Sequence, residues 1–116
     1  MRKKLHVSLK SHDDVIDYDV IGDISKDEIY FEELDDENTA VIYNMKDNIL
    51  KRDNPNLYME YNFGEPDRSN ILVKDIGQNL EIDLKVKKIK QSKNTISIDY
   101  ELNDIKYKYS IKIKEN

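Results

Sequence analysis

The sequence has no cysteine and no tryptophan, and its 116 residues include only three glycines, two prolines and two histidines. Without cysteine the chain can form neither disulfides nor thiolate metal sites, and it has no cysteine nucleophile. No apolar run approaches the ~18 residues that a membrane helix requires. The basic start, Met1 to Lys4, leads into an alternating segment and not into the apolar run of a signal peptide. We therefore expect a cytoplasmic protein without membrane contact.

Charged residues make up 37% of the chain, and the formal net charge is −5. Residues 1–50 carry 6 basic and 13 acidic side chains, whereas residues 84–116 carry 9 basic and 4 acidic ones. This asymmetry can indicate a nucleic-acid-binding tail, or it can arise because the two ends of the chain pair in the fold. We favour pairing, because a net negative charge opposes phosphate binding, and we expect no nucleic-acid partner.

Apolar and polar residues alternate through most of the chain, which is the pattern of strands with one buried face. The length indicates a single domain over residues 1–116. A helix beginning at Ser25 is the alternative for one segment, but its Ile-Tyr-Phe run favours a strand. A one-residue slip at Lys87-Lys88 predicts a β-bulge. The predicted strands cover residues 5–9, 16–20, 29–32, 39–45, 49–52, 57–63, 71–76, 80–89, 96–102 and 105–113.

Short connections between these strands imply antiparallel neighbours. Turn signals such as Asp47-Asn48 and Asn103-Asp104 separate the strands. We predict an all-β, antiparallel up-and-down barrel of about 8–10 strands with little or no helix, because closure removes exposed edges. In such a barrel the first and last strands are neighbours. The lysines of the last strand, Lys106, Lys108, Lys112 and Lys114, would then lie near the acidic early strands.

The C-terminal two-thirds of the chain, from about Val41 to Lys114, resembles the YwiB-like proteins, a family of uncharacterised bacterial proteins. The resemblance rests on the hairpin ending at Arg52, on the segment Met59-Glu60-Tyr61-Asn62-Phe63-Gly64, and on Ile76-Gly77 with Leu80-Glu81-Ile82. It continues through residues 96–102 and the final Ile-Lys-Ile-Lys strand. It implies a calycin-like β-barrel and no particular activity.

No arrangement of residues indicates catalysis, a metal site or a cofactor. His6 belongs to the polar face of its strand, and His12 stands beside Asp13 and Asp14 with no second histidine at ligand spacing. The acidic cluster, comprising Glu32, Glu33, Asp35, Asp36 and Glu37, lacks the order of a calcium loop, so we interpret it as a solvated loop. We expect no enzyme, no bound metal and no cofactor.

Tyrosines share the inner faces of several strands with isoleucine and leucine. A buried tyrosine hydroxyl needs a hydrogen-bond partner, and a barrel of this size either is filled by side chains or holds one small ligand. Our leading hypothesis is a non-enzymatic, lipocalin-like barrel that binds a small apolar or amphipathic molecule. The predicted ligand-binding residues are Arg52, Tyr61, Phe63, Tyr100 and Tyr107, with Arg52 at the rim.

The alternative hypothesis is a filled barrel that serves as a protein-interaction module. An outer sheet face or an edge strand would then bind a protein partner. Tyr30, Tyr43 and Tyr58 are the apolar residues we expect to be exposed for that purpose.

Overall fold

The computed structural model describes residues 1–33 and 38–114. These residues form eleven strands and, as their only helical element, one 3-10 turn at Pro66–Arg68. They contain no helix with the length and hydropathy needed to cross a membrane. The strands are β1 (Arg2–Lys10), β2 (Val15–Ile24), β3 (Glu28–Glu32), β4 (Ala40–Asn44), β5 (Ile49–Asp53), β6 (Leu57–Asn62), β7 (Asn70–Val73), β8 (Gln78–Leu80), β9 (Leu84–Gln91), β10 (Thr95–Leu102) and β11 (Ile105–Lys114).

All eleven strands belong to one antiparallel sheet with the order β8-β7-β6-β5-β4-β3-β2-β1-β11-β10-β9. The first strand pairs with the last, for example Val7 with Ile111, so the predicted meeting of the two chain ends is confirmed. The predicted closure of the barrel was wrong for the described residues, because the sheet has two edge strands, β8 and β9, that do not pair with each other. The sheet is curled into a half-barrel. The curl brings the rings of Phe63 and Tyr100, which come from distant parts of the sheet, to within 5.2 Å of each other. The 3-10 turn packs against both β6 and β9.

The core fills the concave side of this curled sheet. Alternation places every second side chain there, as in β10, where Ile96, Ile98 and Tyr100 are buried between half-exposed neighbours. The other buried apolar residues are Leu5, Val7, Ile29, Phe31, Val41, Tyr43, Leu50, Tyr61, Phe63, Ile71, Leu84, Tyr109 and Ile111. Burial of these side chains is the main force that stabilises the curl.

The predicted number of strands was too low because the strand expected over residues 80–89 is divided. β8 ends at Leu80 and β9 begins at Leu84. Between them, the Asp83 N–H donates to Asn103 Oδ1 at 2.8 Å, and the Asn103 N–H donates to the Asp83 carbonyl at 2.9 Å. These two bonds attach the backbone of Asp83 to the β10–β11 turn, so the strand is interrupted there although burial still alternates from Glu81 to Leu84.

The predicted bulge is confirmed. Lys88 lies opposite Asp99 and Val86 lies opposite Tyr100, which leaves Lys87 as the extra residue of β9. The two predicted turns are also confirmed, since Asn48, Asn103 and Asp104 adopt positive φ angles of 57°, 49° and 69°. Asparagine and aspartate tolerate this left-handed conformation better than most residues.

The charges at the chain ends pair only partly as expected. Asp19 on β2 bonds to His6 Nδ1 at 2.8 Å and to Lys114 Nζ at 2.9 Å, which lowers the pKa of Asp19. β11 lies between β1 and β10, so its other lysines also have neighbours on β10. Lys108, for example, lies opposite Asp99. Among the described residues, Asp19 is therefore the one acidic side chain of the early strands that pairs with a lysine of the last strand.

Tyr43 was wrongly predicted to be exposed. It shares the inner face of β4 with Val41, is fully buried, and donates its hydroxyl hydrogen to Asn48 Oδ1 at 3.1 Å. Tyr30 is 37% exposed, and Tyr58 is half-buried with its hydroxyl bonded to Glu60 at 2.8 Å.

Candidate functional site

A cavity of about 300 Å³ lies inside the curled sheet. Its apolar wall includes Val7, Leu9, Leu50 and Leu102, and its polar wall consists of tyrosines with one arginine and one glutamate. Its lining also includes Ile16, which is 58% exposed. Larger depressions, such as one of about 610 Å³ between β2 and β3, lie on the outer surface and are more open. The inner cavity is therefore the better enclosed place for a small molecule.

Four of the five residues predicted to bind a ligand line this cavity. They are Arg52 on β5, Tyr61 on β6, Tyr100 on β10 and Tyr107 on β11. The register explains their meeting, because Tyr100 pairs directly with Tyr107 and Arg52 pairs with Met59, two residues before Tyr61. Phe63 does not line the cavity, and it packs behind it against Tyr61 and Tyr100. Whether these residues bind a ligand remains a prediction.

The aromatic rings form one continuous cluster. Tyr100 and Tyr107 are stacked, with ring centroids 5.4 Å apart and an angle of 22° between the planes. Tyr61 lies 6.1 Å from Tyr100, and Phe63 lies 6.3 Å from Tyr61 in an edge-to-face arrangement. These separations and angles are those of favourable aromatic pairs, so the rings hold one another in position.

Arg52 and Glu33 form an ion pair in the cavity wall. Arg52 Nε donates to Glu33 Oε1 at 2.8 Å, and Arg52 Nη2 donates to both carboxylate oxygens, with 3.0 Å to Oε2. The remaining nitrogen, Nη1, lies 3.5 Å from the sulfur of Met59. The Glu33 side chain is only 13% exposed and that of Arg52 34%. Burial acts to lower the pKa of Arg52, but the Glu33 carboxylate outweighs burial and keeps that pKa above its ordinary value.

Four tyrosine hydroxyls have no hydrogen-bond partner among the described residues, although the rings of three are buried. They belong to Tyr61, Tyr100, Tyr107 and Tyr109, of which Tyr107 is only half-buried. Among the described residues, Asp99 Oδ1 is the one fully buried polar side-chain atom without a partner. The four tyrosine hydroxyls are therefore not fully buried, and all four tyrosines line the cavity.

Tyr61, Tyr100 and Tyr109 remain protonated near neutral pH. Burial raises the pKa of Tyr61 to about 12, partly countered by the nearby Arg52 guanidinium. Burial also raises the pKa of Tyr100 and of Tyr109, and Arg52 counters part of both shifts. The Arg52 guanidinium therefore lies close enough to all three tyrosines to lower their pKa values. Each hydroxyl can donate one hydrogen bond and accept others.

Glu33 is the member of this constellation that the sequence interpretation placed wrongly. We expected it in a solvated acidic loop, whereas it is paired inside the cavity wall; Asp35, Asp36 and Glu37 lie outside the described residues. The signal was present, because Ile29, Phe31 and Glu33 continue a period of two onto the inner face. Neither histidine lines the cavity: His6 bonds to Asp19, and His12 is exposed.

Comparison with known proteins shows the fold and nothing more specific. No family model matches the sequence, and no curated protein matches it. Among solved structures, the ywiB protein from Bacillus subtilis is similar, with a TM-score of 0.68 and 19% sequence identity. The alignment covers 99% of this chain and 92% of that chain. The protein therefore has a YwiB-like fold, in agreement with the resemblance noted in its sequence.

Proposed function

We propose that this protein is a calycin-like, cytoplasmic barrel that binds a small amphipathic molecule in its inner cavity and has no catalytic role. One observation carries the proposal. Three largely buried tyrosines, Tyr61, Tyr100 and Tyr109, line this cavity, and their hydroxyls have no hydrogen-bond partner among the described residues. Buried polar groups in proteins are normally hydrogen-bonded, so a bound molecule that supplies partners would be stabilised there.

The size and lining of the cavity restrict the ligand. Since a water molecule occupies ≈ 30 Å³ in the liquid, a cavity of about 300 Å³ corresponds to about ten water-sized groups. That volume is at the lower end of the range for ligand pockets. The aliphatic wall favours an apolar ring or short chain, and the tyrosine hydroxyls favour at least one polar atom.

Native mass spectrometry tests this function. Gently purified protein is compared with the same sample after denaturation. We expect a discrete excess mass that disappears on denaturation and that corresponds to a small molecule. A bare protein mass, together with no binding from a panel of small amphipathic compounds, would contradict the proposal.

A second candidate function, a protein-interaction module, is favoured by the apolar side chains that β2 exposes. Val15 is 60% exposed and Ile21 is 50% exposed, and both lie on the outer side of the sheet. Among the described residues, β2 pairs with β3 only at Asp23 and Ile24, although it pairs with β1 from Val15 to Asp23. We expect the double variant Val15→Ser, Ile21→Ser to lose a protein partner if this candidate is correct, and to lose none if the cavity alone carries the function.

A further inference from the structure

We propose that Glu33 sets the charge of the ligand, so that the cavity selects an uncharged molecule with a hydrogen-bonding oxygen over the corresponding carboxylate. This inference rests on the proposed function. It concerns the chemical class of the ligand. Showing that some small molecule binds would not by itself identify that class.

The first step is the charge balance of the cavity wall. Among the described residues that line the cavity, Arg52 is the one cation and Glu33 the one anion. They are bonded to each other through two guanidinium nitrogens. The cavity thus has no unpaired positive charge, even though it contains an arginine.

The second step is the cost of a further charge. A ligand carboxylate that enters the cavity leaves water and approaches the Glu33 carboxylate, which is only 13% exposed. A buried charge without a partner is strongly unfavourable, and a like charge nearby adds repulsion. To pair with Arg52 instead, the ligand would have to displace Glu33 and leave that carboxylate without its cation.

The third step is the set of donors that remain. Arg52 Nη1 faces the sulfur of Met59 at 3.5 Å, a weak acceptor. The hydroxyls of Tyr61, Tyr100 and Tyr109 have no partner among the described residues. An amide, ketone or hydroxyl oxygen can accept from these groups without bringing in a charge, so the free donors fit a neutral oxygen.

Benzamide and benzoate provide the test, because they have the same number of non-hydrogen atoms and differ in charge. Both are titrated into the protein near neutral pH, and the dissociation constants are obtained from amide chemical shifts. For the natural sequence we expect benzamide to bind at least about tenfold more tightly than benzoate, which corresponds to ~1.4 kcal/mol. In Glu33→Gln, which leaves Arg52 without an anionic partner, we expect the preference to reverse.

Glu32→Gln is the matched control. Glu32 is the adjacent residue on the outer face, where its carboxylate accepts from the Tyr30 hydroxyl at 3.2 Å. This variant removes the same charge from nearly the same place, and we expect it to retain the benzamide preference. Circular dichroism and thermal melting establish that both variants are folded.

Each of three results would overturn the inference. The first is benzoate binding to the natural protein as tightly as benzamide, which leaves the proposed function intact and needs no variant. The second is an unchanged preference in folded Glu33→Gln. The third is binding of neither probe to the natural protein, in which case native mass spectrometry decides the proposed function separately.

Discussion

Replacing Arg52 by methionine is the most informative perturbation of the cavity wall. The substitution keeps a long apolar side chain and removes the guanidinium that donates to Glu33 through Nε and Nη2. Glu33 then remains as a carboxylate with 13% exposure and no cation. The natural pair is thus converted into a lone, largely buried charge.

The expected loss of stability follows from that exposure. Removing one partner of a buried ion pair costs about 3–5 kcal/mol. Because the Arg52 side chain is 34% exposed, water can solvate part of the site, and we expect a loss of about 2 kcal/mol. With a urea slope of about 2 kcal/mol per M, the midpoint of unfolding should fall by about 1 M. Far-ultraviolet circular dichroism suits the measurement, because the sequence has no tryptophan.

Two further variants make the result decisive. Arg68→Met removes the cation of an ion pair with Glu65 in which both side chains are more than half exposed, so its cost should stay below about 1 kcal/mol. Adding Glu33→Gln to Arg52→Met removes the lone charge and should restore at least half of the lost stability. The reasoning is refuted if Arg52→Met is no more harmful than Arg68→Met, or if the double variant is as unstable as Arg52→Met alone.

Three other predictions concern the tyrosines, the core and one close backbone contact. Burial raises the pKa of Tyr61 from 10.0 to about 12, so the folded state holds its proton more tightly than the unfolded state; stability from this group is complete below pH 10 and should fall between pH 10 and 12, which urea midpoints at several pH values will show. Ile98→Ala, at a fully buried site, should cost about 2–5 kcal/mol in urea unfolding, against less than about 0.5 kcal/mol for Ile105→Ala at a 49% exposed site. Gly22→Ala would place a Cβ 2.5 Å from Leu5 Cδ1, and thermal melting should reveal a loss of about 1–3 kcal/mol, whereas an unchanged midpoint would show that the core yields at that point.

Most of the fold could be predicted from the sequence because one physical rule governs nearly every strand. In an antiparallel sheet with one buried face, the period of two marks both the strand and its inner side. It identified the buried Ile96, Ile98 and Tyr100, and its one-residue slip located the bulge at Lys87. The rule does not show where a strand is divided, as at Asp83, which bonds to the β10–β11 turn although the alternation of burial continues through it.

The candidate site was predictable to a similar extent and for a similar reason. Tyr61, Tyr100 and Tyr107 were placed on the inner face by periodicity, and the sheet brings them together. We assigned Glu33 to a solvated loop because it is charged and belongs to an acidic cluster. The same periodicity nevertheless places it on the inner face. The bond between Arg52 and Glu33 spans β4, so it depends on the registers of β3 with β4 and of β4 with β5, which the sequence does not specify.

The most direct test of the cavity as a binding site is native mass spectrometry of the natural protein beside Leu102→Trp. Leu102 lines the cavity, so the larger side chain would occupy the space that a ligand needs. Leu72→Trp is the control, because Leu72 does not line the cavity and faces away from the buried Ile71 on β7. We predict an excess mass in the natural protein and in Leu72→Trp that is lost in Leu102→Trp. An excess mass retained by folded Leu102→Trp would place the molecule elsewhere, and its absence from all three proteins would contradict ligand binding.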